Sequence, residues 1–294
     1  HHRPHRAYRE HPGRGMTPPD PHQIAQVAGS SVITTRPVPG GDVCQALRID
    51  LLDARSLFVK HRSGAPPGMF RSEAAGLRWL GSAGALRVPD VVAVDDDWLA
   101  LEWIDRGVAG TATDEALGRG VARLHRAGAL GFGADHPGFI GPLAVPNAPS
   151  DTWPEFLAEC RLVPLAHAAG LDSGSRRMLD RVLARLPDLV GPVEPPARLH
   201  GDLWAGNRMT DQDGAPVLVD PAAVGGHREV DLAMMLLFGG FPERVFAAYH
   251  EEYPLQPGWR GRVGLNQLIP LLVHAALFGG AYHGSVRRLL DDLA

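Results

Sequence analysis

Four polar residues in the C-terminal half have the types and spacing needed for phosphoryl transfer. His200, Asp202 and Asn207 form an H-x-D-x-x-x-x-N pattern, and Asp220 follows the apolar run at residues 217–219. In a kinase catalytic loop with this spacing, the Asp accepts the proton of the attacking hydroxyl, while the Asn and a later Asp hold magnesium. A plain loop and a plain turn would explain either segment alone. Together they favour Asp202 as the base, with Asn207 and Asp220 as metal ligands.

A single lysine indicates where nucleotide phosphates would bind. Lys60 is the only lysine among the 29 lysine and arginine residues, and it ends a Leu-Phe-Val run. A chain that otherwise uses arginine needs a special reason for a compact ammonium, and a strand lysine that reaches the nucleotide phosphates is one such reason. Gly40 and Gly41 form a predicted turn whose N–H groups can approach a phosphate closely. An exposed strand end and an ordinary hairpin turn are the alternatives.

Two further segments fit around this lysine. Residues 70–80 carry apolar side chains at helical spacing, and Glu73 lies in the first turns of that predicted helix. A kinase site needs a helix glutamate to orient the strand lysine, although a solvated carboxylate near a helix start is the alternative for Glu73. Glu102, Trp103 and Ile104 leave the last predicted strand, so we expect their backbone groups to face the edge of an adenine ring.

The order of predicted elements gives an α+β fold with two lobes. Residues 16–103 are predicted as a nucleotide-binding lobe, with a short helix, the Glu73 helix and five antiparallel strands. Residues 104–294 are predicted as a mainly helical catalytic and substrate lobe, in which residues 128–150 form a loop. The helices predicted there cover residues 113–127, 152–169, 173–186, 230–238, 242–253 and a long segment from 262 to the end. Residues 1–15 carry four histidines and no signal-peptide pattern, and we interpret them as a leader or artefact outside the fold.

Composition narrows the function classes. Hydrophobic residues make up 45% and charged residues 21%, which is typical of a globular chain with a sizeable core. The net charge of −4 gives no electrostatic reason to expect nucleic acid or an anionic membrane as partner. Cys44 and Cys160 are far apart and form no disulfide framework, so we expect a cytoplasmic protein. A low-pKa, redox-active thiol at Cys44 is one hypothesis; a small hairpin residue is the favoured alternative.

Beyond this spacing, the chain resembles the fructosamine (ketosamine-3-) kinase family, within the aminoglycoside-phosphotransferase-like small-molecule kinases. The resemblance covers the chain from about residue 20 to the end. It rests on HGDLWxGN at 200–207, Asp-Pro-Ala at 220–222, REVDLAM at 228–234, FGGF at 238–241, Tyr249, Phe-Gly at 278–279, Tyr282 and the segment 131–161. The glycine-rich turn departs from the pattern at Cys44 and Gln45, which affects the phosphate loop and not the class.

The resemblance implies a protein-kinase-like fold and an ATP- and magnesium-dependent kinase. Its acceptor would be a sugar hydroxyl of a ketosamine, typically O3 of a fructose- or ribulose-modified amine. The roles it implies match those read from the residues. Asp202 would be the base, Asn207 and Asp220 the metal ligands, and Lys60 with Glu73 the phosphate clamp.

Three other residues receive roles in this interpretation. Trp204 lies two residues after the proposed base, and we expect its indole face to contact the sugar and the cationic amine. The alternative is that Trp204 packs into the large lobe and supports the loop. Asp231 is expected to be structural and to tie the catalytic loop down, and His125 to be a core histidine with its hydrogen bonds satisfied.

Several alternatives remain open at this point. The same apparatus would serve a kinase for an aminoglycoside, a choline-like alcohol or another small hydroxyl compound. An inactive nucleotide-binding module is a second class, although the intact catalytic positions argue against it. A metal hydrolase built on His200, Asp202 and His227 is a third, but the sequence lacks a comparable ligand spacing. The sequence leaves open the exact acceptor, whether it is a free small molecule or a glycated protein, and the oligomeric state, for which a monomer is compatible.

Overall fold

A computed structural model describes residues 19–39 and 43–294, and its N-terminal part is a five-stranded antiparallel sheet with two helices. The sheet order is β1-β2-β3-β5-β4, which confirms the predicted small β lobe. The elements are α1 (Pro21–Val27), β1 (Val32–Val38), β2 (Gln45–Leu51), β3 (Ser56–His61), α2 (Met69–Gly81), β4 (Val91–Val94) and β5 (Trp98–Glu102).

The alternating directions of the side chains along β3 determine which face of the sheet carries Lys60. Leu57 and Val59 pack with α1 on one face, because successive side chains of a strand point to opposite faces. Phe58 and Lys60 therefore lie on the other face, where Phe58 packs beside α2. The sequence Leu-Phe-Val-Lys thus presents its lysine on the side where α2 lies.

The rest of the chain forms the larger, mainly helical lobe. Its helices are α3 (Thr111–Arg126), α4 (Trp153–Leu157), α5 (Val163–Ala168), α6 (Ser173–Ala184), α7 (Leu186–Leu189), α8 (Glu229–Leu237), α9 (Glu243–Glu252), α10 (Trp259–Phe278) and α11 (Ala281–Leu293). Short strand pairs connect them: β6 (Gly138–Ile140) with β7 (Leu143–Val145), β8 (Ala197–Leu199) with β11 (Val224–Gly226), and β9 (Arg208–Thr210) with β10 (Pro216–Leu218). The two-lobed α+β architecture is as predicted, whereas the lobe boundary at residue 104 stays a prediction.

Three details differ from the sequence predictions. The predicted loop at 128–150 contains the β6–β7 hairpin. The predicted helix at 152–169 is α4 and α5 joined by a π-helical turn, Ala158–Leu162. The C-terminal segment divides into α10 and α11 at Gly279 and Gly280, whose positive φ angles of 61° and 57° end a right-handed helix.

Helix α2 lies directly against the segment that follows β10. A Cβ on Gly76 would lie 3.0 Å from the Cβ of Ala223, so the glycine permits this close approach. Ser72, also on α2, donates a hydrogen bond to the carbonyl of Pro137 at 2.8 Å. These contacts hold the helix that carries Glu73 against the catalytic lobe. Within residues 19–39 and 43–294, no helix is both long and apolar enough to cross a bilayer.

Candidate active site

The loop at residues 200–207 follows β8 and ends in a 3-10 turn, and the pairing of β8 with β11 brings it beside residues 220–223. The N–H of Ala222 donates to the carbonyl of His200 at 2.9 Å. Gly201 has a φ of 82°, and a Cβ there would collide with the carbonyl of Ala222. Glycine is therefore required for these two segments to lie together.

Asp231, in the first turn of α8, anchors this loop by its backbone. Its carboxylate accepts the N–H of His200 at 2.7 Å and the N–H of Gly201 at 2.9 Å. Nε2 of His125 donates to the same carboxylate at 3.1 Å, and Nδ1 of the ring is hydrogen-bonded to the hydroxyl of Tyr249 at 2.8 Å. Burial raises the pKa of Asp231, but the His125 and His200 interactions outweigh it and the pKa is lowered. The structural roles predicted for Asp231 and His125 are confirmed.

His200 orients the loop through both ring nitrogens. Nε2 lies 2.9 Å from the carbonyl of Val219, which can only accept, so Nε2 carries the proton. Nδ1 then accepts the N–H of Asp202 at 3.3 Å. Burial lowers the pKa of His200, which keeps the ring neutral in this arrangement. His200 is thus committed to holding the backbone of Asp202, and neither nitrogen is free to bind a metal.

Asp202 and Asn207, the predicted base and one predicted metal ligand, are joined by hydrogen bonds. The side-chain amide of Asn207 donates to the carbonyl of Asp202 at 2.8 Å and to its carboxylate at 3.0 Å. Burial raises the pKa of Asp202 to about 7, while donation from Asn207 lowers it and the charge of Asp220 raises it further. A carboxyl group with a pKa near neutrality is suited to accept a proton from a substrate hydroxyl.

Lys60 contacts its predicted partner Glu73, and it also contacts Asp220, which the sequence had suggested only as a metal ligand. Its ammonium lies 2.8 Å from Oε1 of Glu73 and 2.9 Å from Oδ1 of Asp220. The contact with Glu73 has the length of an ion pair but not the alignment of a hydrogen bond, since that oxygen makes none. Burial lowers the pKa of Lys60, yet the two carboxylates outweigh it and the pKa is raised. Burial also raises the pKa of Glu73 to about 7, against the effect of Lys60.

Asn207 and Asp220 offer oxygens that suit a hard divalent cation. Because its amide nitrogen is occupied, Asn207 presents Oδ1, which makes no hydrogen bond with the residues described. Asp220 uses Oδ1 for Lys60, and its side chain is 49% exposed. Oxygen ligands of this kind fit magnesium. Among the same residues, no three His, Cys, Asp or Glu side chains form a metal cluster, so the hydrolase site on His200, Asp202 and His227 is not formed.

The connection after β5 is partly committed to internal hydrogen bonds. The N–H of Glu102 donates to the carbonyl of Asp90 at 2.9 Å, and the N–H of Trp103 donates to the carbonyl of Ser56 at 3.1 Å. Ile104 is the predicted adenine contact whose N–H is not bonded to any described residue. Gly40 and Gly41, the predicted phosphate turn, lie outside the residues that the structure describes.

The solvent exposure of Trp204 and of Cys44 bears on the roles that the sequence suggested for them. The indole of Trp204 is 42% exposed and lies over Gly206, so the ring is not buried in the core of the large lobe, and its contact with the acceptor stays a prediction. Cys44 is half-buried beside the α2 cluster, and burial raises the pKa of its thiol. The hypothesis of a low-pKa thiol at Cys44 is therefore wrong, and the small hairpin residue is the correct alternative.

Sequence reasoning did not identify His274 as a site residue. A pocket beside Asp202 and Gly201 is lined on its other side by α10, including Pro270 and His274. His274 and Phe278 are four residues apart, and Tyr282 follows four later. His274 and Phe278 share one face of α10, a signal that could have drawn attention to these two residues, whereas Tyr282 lies beyond the break at Gly279 and Gly280.

Comparisons with known proteins agree with this geometry. The family model described as fructosamine kinase matches residues 17–294. Mouse ketosamine-3-kinase is 34% identical and the match covers 90% of this chain and 96% of that protein. A solved structure from Thermobifida fusca, designated a fructosamine-3-kinase, has 43% identity and a TM-score of 0.86 over 92% of this chain and 96% of its own.

A more distant likeness concerns the fold alone. The crystal structure of a choline kinase from Streptococcus pneumoniae is 13% identical, with a TM-score of 0.60 over 89% of this chain and 93% of its own. That fold belongs to the small-molecule kinases with a protein-kinase-like architecture, as the sequence resemblance implied. From the family model and the relatives together, the chain belongs to the fructosamine kinase family.

Proposed function

We propose that the protein transfers the γ-phosphoryl group of ATP to a sugar hydroxyl of a ketosamine, with O3 as the acceptor. The observation that carries this proposal is the Lys60 ammonium, held between Glu73 and Asp220 in the same site as the half-buried Asp202 and its buried partner Asn207. The name of the mouse relative, ketosamine-3-kinase, supports the choice of a ketosamine and of O3. The complete set of charged groups favours an active enzyme over an inactive nucleotide-binding module.

Asp202 would act as the general base. As the acceptor oxygen forms its bond to the γ-phosphorus, the hydroxyl proton passes to the Asp202 carboxylate and the bond to the ADP oxygen breaks. Asn207 holds that carboxylate from one side, and His200 holds the loop backbone through the N–H of Asp202. Transfer of this kind depends mainly on positioning and on neutralising charge.

Lys60 and Glu73 would form the phosphate clamp. The raised pKa of Lys60 keeps its ammonium charged throughout the physiological range, as binding of phosphate oxygens requires. Glu73 would keep Lys60 in place while the carboxylate of Asp220 binds a divalent cation. We assign the adenine edge to the backbone of Glu102, Trp103 and Ile104.

Magnesium would be held by Oδ1 of Asn207 and the carboxylate of Asp220. When bound, the ion neutralises the phosphate charge that develops during transfer. We also propose that N–H groups of Gly40 and Gly41 approach the phosphates, and that the nucleotide-binding lobe ends at residue 103. The reaction is assigned to the cytoplasm, where free thiols such as those of Cys44 and Cys160 stay reduced.

Trp204 would contact the acceptor. Its exposed indole lies two residues from Asp202 in the chain. An indole face can stack on a sugar and attract a cationic amine, with about 0.5–2 kcal/mol of cation–π energy. Both free ketosamines and ketosamines on glycated proteins would present these groups.

A panel of acceptors tests the proposal. The purified protein is given ATP and magnesium with fructosamines, ribulosamines, an aminoglycoside and choline, and ADP formation is followed. We expect the highest kcat/KM for the ketosamines, and no turnover when magnesium is chelated. Preferred turnover of choline or the aminoglycoside would place the chain with other small-molecule kinases. The absence of ATP-dependent product from every acceptor would favour the binding module.

A further inference from the structure

The pocket beside the catalytic base has a second wall, which the proposed transfer chemistry does not use. Asp202 and Gly201 line one side, and Pro270, Val273 and His274 of α10 line the other. An acceptor that brings a hydroxyl to Asp202 therefore has the rest of its structure close to α10. The side chains around His274 therefore determine which chemical groups the acceptor can carry on that side.

Three aromatic rings surround the imidazole of His274. The ring centres of Phe238 and Tyr282 lie 5.0 Å from it, and that of Phe278 lies 5.5 Å from it. Phe238 follows α8, Phe278 ends α10 and Tyr282 lies in α11, so three helices contribute to one surface. We call His274, Phe238, Phe278 and Tyr282 the aromatic wall.

The aromatic wall is open to a ligand. Phe238 is 41% exposed and Phe278 is 46% exposed, although rings of this size gain most from full burial. Aromatic rings that stay exposed next to a catalytic pocket are typical of a surface that binds a ligand. Their faces carry partial negative charge, so a cation is the ligand group that they attract most strongly.

A hydrogen bond fixes the tautomer of His274. Nδ1 lies 2.7 Å from the carbonyl of Pro270, which can only accept, so Nδ1 carries the proton. Burial lowers the pKa of His274, against the effect of that carbonyl, and the ring is neutral at pH 7. Nε2 is then an acceptor, and it makes no hydrogen bond with a residue in the described part of the chain. A ligand with an N–H group would satisfy it.

These features select among ligand groups. A neutral apolar group would cover the rings but would leave Nε2 without a donor. An anion would face the ring quadrupoles, an unpaired acceptor and the nearby carboxylate of Asp202. A secondary ammonium suits both the ring faces and Nε2 of His274. It is cationic, it donates an N–H group, and it carries an organic substituent that can cover the rings.

We propose that the aromatic wall, in addition to Trp204, binds the protonated amine of the ketosamine and its substituent, and that it selects ketosamines over neutral sugars. His274 accepts the ammonium N–H at Nε2, and Phe238, Phe278 and Tyr282 face the positive charge and the substituent. In a ketosamine the nitrogen is bonded to C1, two carbons from the C3 hydroxyl, so a ligand with O3 at Asp202 can place its amine close to α10. This inference rests on the proposed function and names the residues that recognise its substrate.

Two ligands that differ in charge test the inference. The first is a fructosamine of a simple alkylamine, and the second is its N-acetyl derivative, in which the nitrogen is a neutral amide. Their dissociation constants are measured by calorimetry, and turnover and melting temperature are measured in parallel. The variants are Phe278→Leu, which removes a ring face, and His274→Phe, which keeps a ring and removes the acceptor. Leu130→Ala, at a fully exposed position, is the control.

We expect the wild type and the control to bind the cationic ligand at least about tenfold more tightly than the amide, from cation–π attraction together with a charged hydrogen bond. Phe278→Leu should reduce this preference about threefold or more, and His274→Phe about tenfold, with the melting temperature and the affinity for the amide unchanged. Equal binding of both ligands by the wild type would overturn the inference. The inference would also be overturned if the two variants lost affinity for both ligands equally, or if they kept the full preference for the cationic ligand.

The turnover measurement separates this inference from the proposed function. Selective binding of the cation, without phosphate transfer to any ketosamine, would contradict the proposed function and leave the aromatic wall supported. Phosphorylation of ketosamines by both variants with undiminished preference would contradict the aromatic wall and leave the proposed function supported.

Discussion

Asp202 and Asp220 belong to one site, yet their surroundings tune the two carboxyl groups in opposite directions. Burial raises the pKa of Asp202 to about 7, and donation from Asn207 offsets only part of this effect. Burial also acts to raise the pKa of Asp220, but the ammonium of Lys60 outweighs it and the pKa is lowered. One carboxyl group can therefore exchange a proton near neutrality, while the other stays anionic, which is the division of roles that the proposed reaction needs.

Replacing the base is expected to separate catalysis from nucleotide binding. Asp202→Asn keeps the shape and the oxygen that accepts from Asn207, but it removes the group that takes the proton. Loss of a general base typically costs about 10²–10⁴-fold, so kcat should fall at least about a hundredfold. The affinity for ATP, measured by calorimetry, should change little. Asp213→Asn, at an exposed position in the β9–β10 turn, is the matched control, and equal rates for the two variants would exclude Asp202 as the base.

The raised pKa of Asp202 predicts the acidic limb of the rate profile. The base acts only when ionised, so the active fraction falls as the pH drops below about 7. We expect kcat/KM to decrease about tenfold per pH unit below that value and to level off above it. The profile is measured with two ketosamines whose amines differ in pKa. A limb near pH 4, or one that moves with the amine, would show that Asp202 does not set it.

At the scale of elements, the position of α2 depends on its contact with the segment after β10. Gly76 brings the helix against Ala223, and this contact keeps Glu73 beside Lys60. The helix, the strand and the predicted pairing of Glu73 with Lys60 were readable from apolar periodicity and from the single lysine. The need for a glycine at residue 76 could not be read from the sequence, because it arises from packing against Ala223, about 150 residues away in the chain.

Enlarging Gly76 is expected to disturb this contact. Gly76→Val places new atoms at a spot where even a Cβ lies 3.0 Å from Ala223, so α2 must shift and carry Glu73 away from Lys60. Small displacements of catalytic groups are costly, and we expect kcat/KM for ATP to fall about tenfold or more. Ala223→Gly should restore part of the loss in the double variant. No rescue, or a fully active single variant, would show that the contact does not position Glu73.

The anchor on α8 should matter for stability as well as for activity. Asp231→Asn replaces a buried carboxylate that accepts from His200, Gly201 and His125. We expect the free energy of unfolding at pH 7 to fall by about 2–4 kcal/mol, as is usual when a buried charged network is broken. Urea unfolding measures it. A loss below about 0.5 kcal/mol would make Asp231 dispensable as an anchor.

The pH dependence of this loss has a definite sign. The folded pKa of Asp231 lies below its ordinary value of 3.8, so the carboxylate stabilises the fold above that value. The contribution disappears as the pH falls through the folded pKa. The difference between wild type and Asp231→Asn should therefore be constant near neutrality and shrink only below pH 3.8.

At the scale of the whole molecule, the site lies where the two lobes are bound together. The connection between α2 and β4 contacts the large lobe through Arg87, whose guanidinium donates to Asp211 at 2.7 Å and whose carbonyl accepts the N–H of Leu218 at 3.0 Å. The hydrogen bond from Ser72 of α2 to the carbonyl of Pro137 is a second link between the lobes. With Lys60 bonded to Asp220 as well, the catalytic groups of both lobes are held at contact distance.

The sequence predicted the parts of this arrangement that local patterns encode. The small sheet, the loop at 200–207, Lys60 with Glu73, and Asp231 as an anchor were all readable from spacing or from resemblance. The π-helical turn at Ala158–Leu162 was not, because helical periodicity does not show that its buried Arg161 bonds to Pro146 and Asn147 after β7. The resemblance includes Phe238, Phe278 and Tyr282, but the sequence did not show that they gather around His274, because these rings come from three helices that meet only in the folded chain.

The most direct test of the central claim is the position of phosphate on the product. A fructosamine is incubated with ATP, magnesium and the wild-type protein, and the product is examined by phosphorus–proton correlation NMR, with Asp202→Asn as the matched blank. We predict one phosphoester, coupled to the proton at C3 of the sugar, that is absent from the blank. Phosphate on another hydroxyl would contradict the choice of O3. A fructosamine left unmodified, while choline or an aminoglycoside is phosphorylated, would contradict the ketosamine kinase itself.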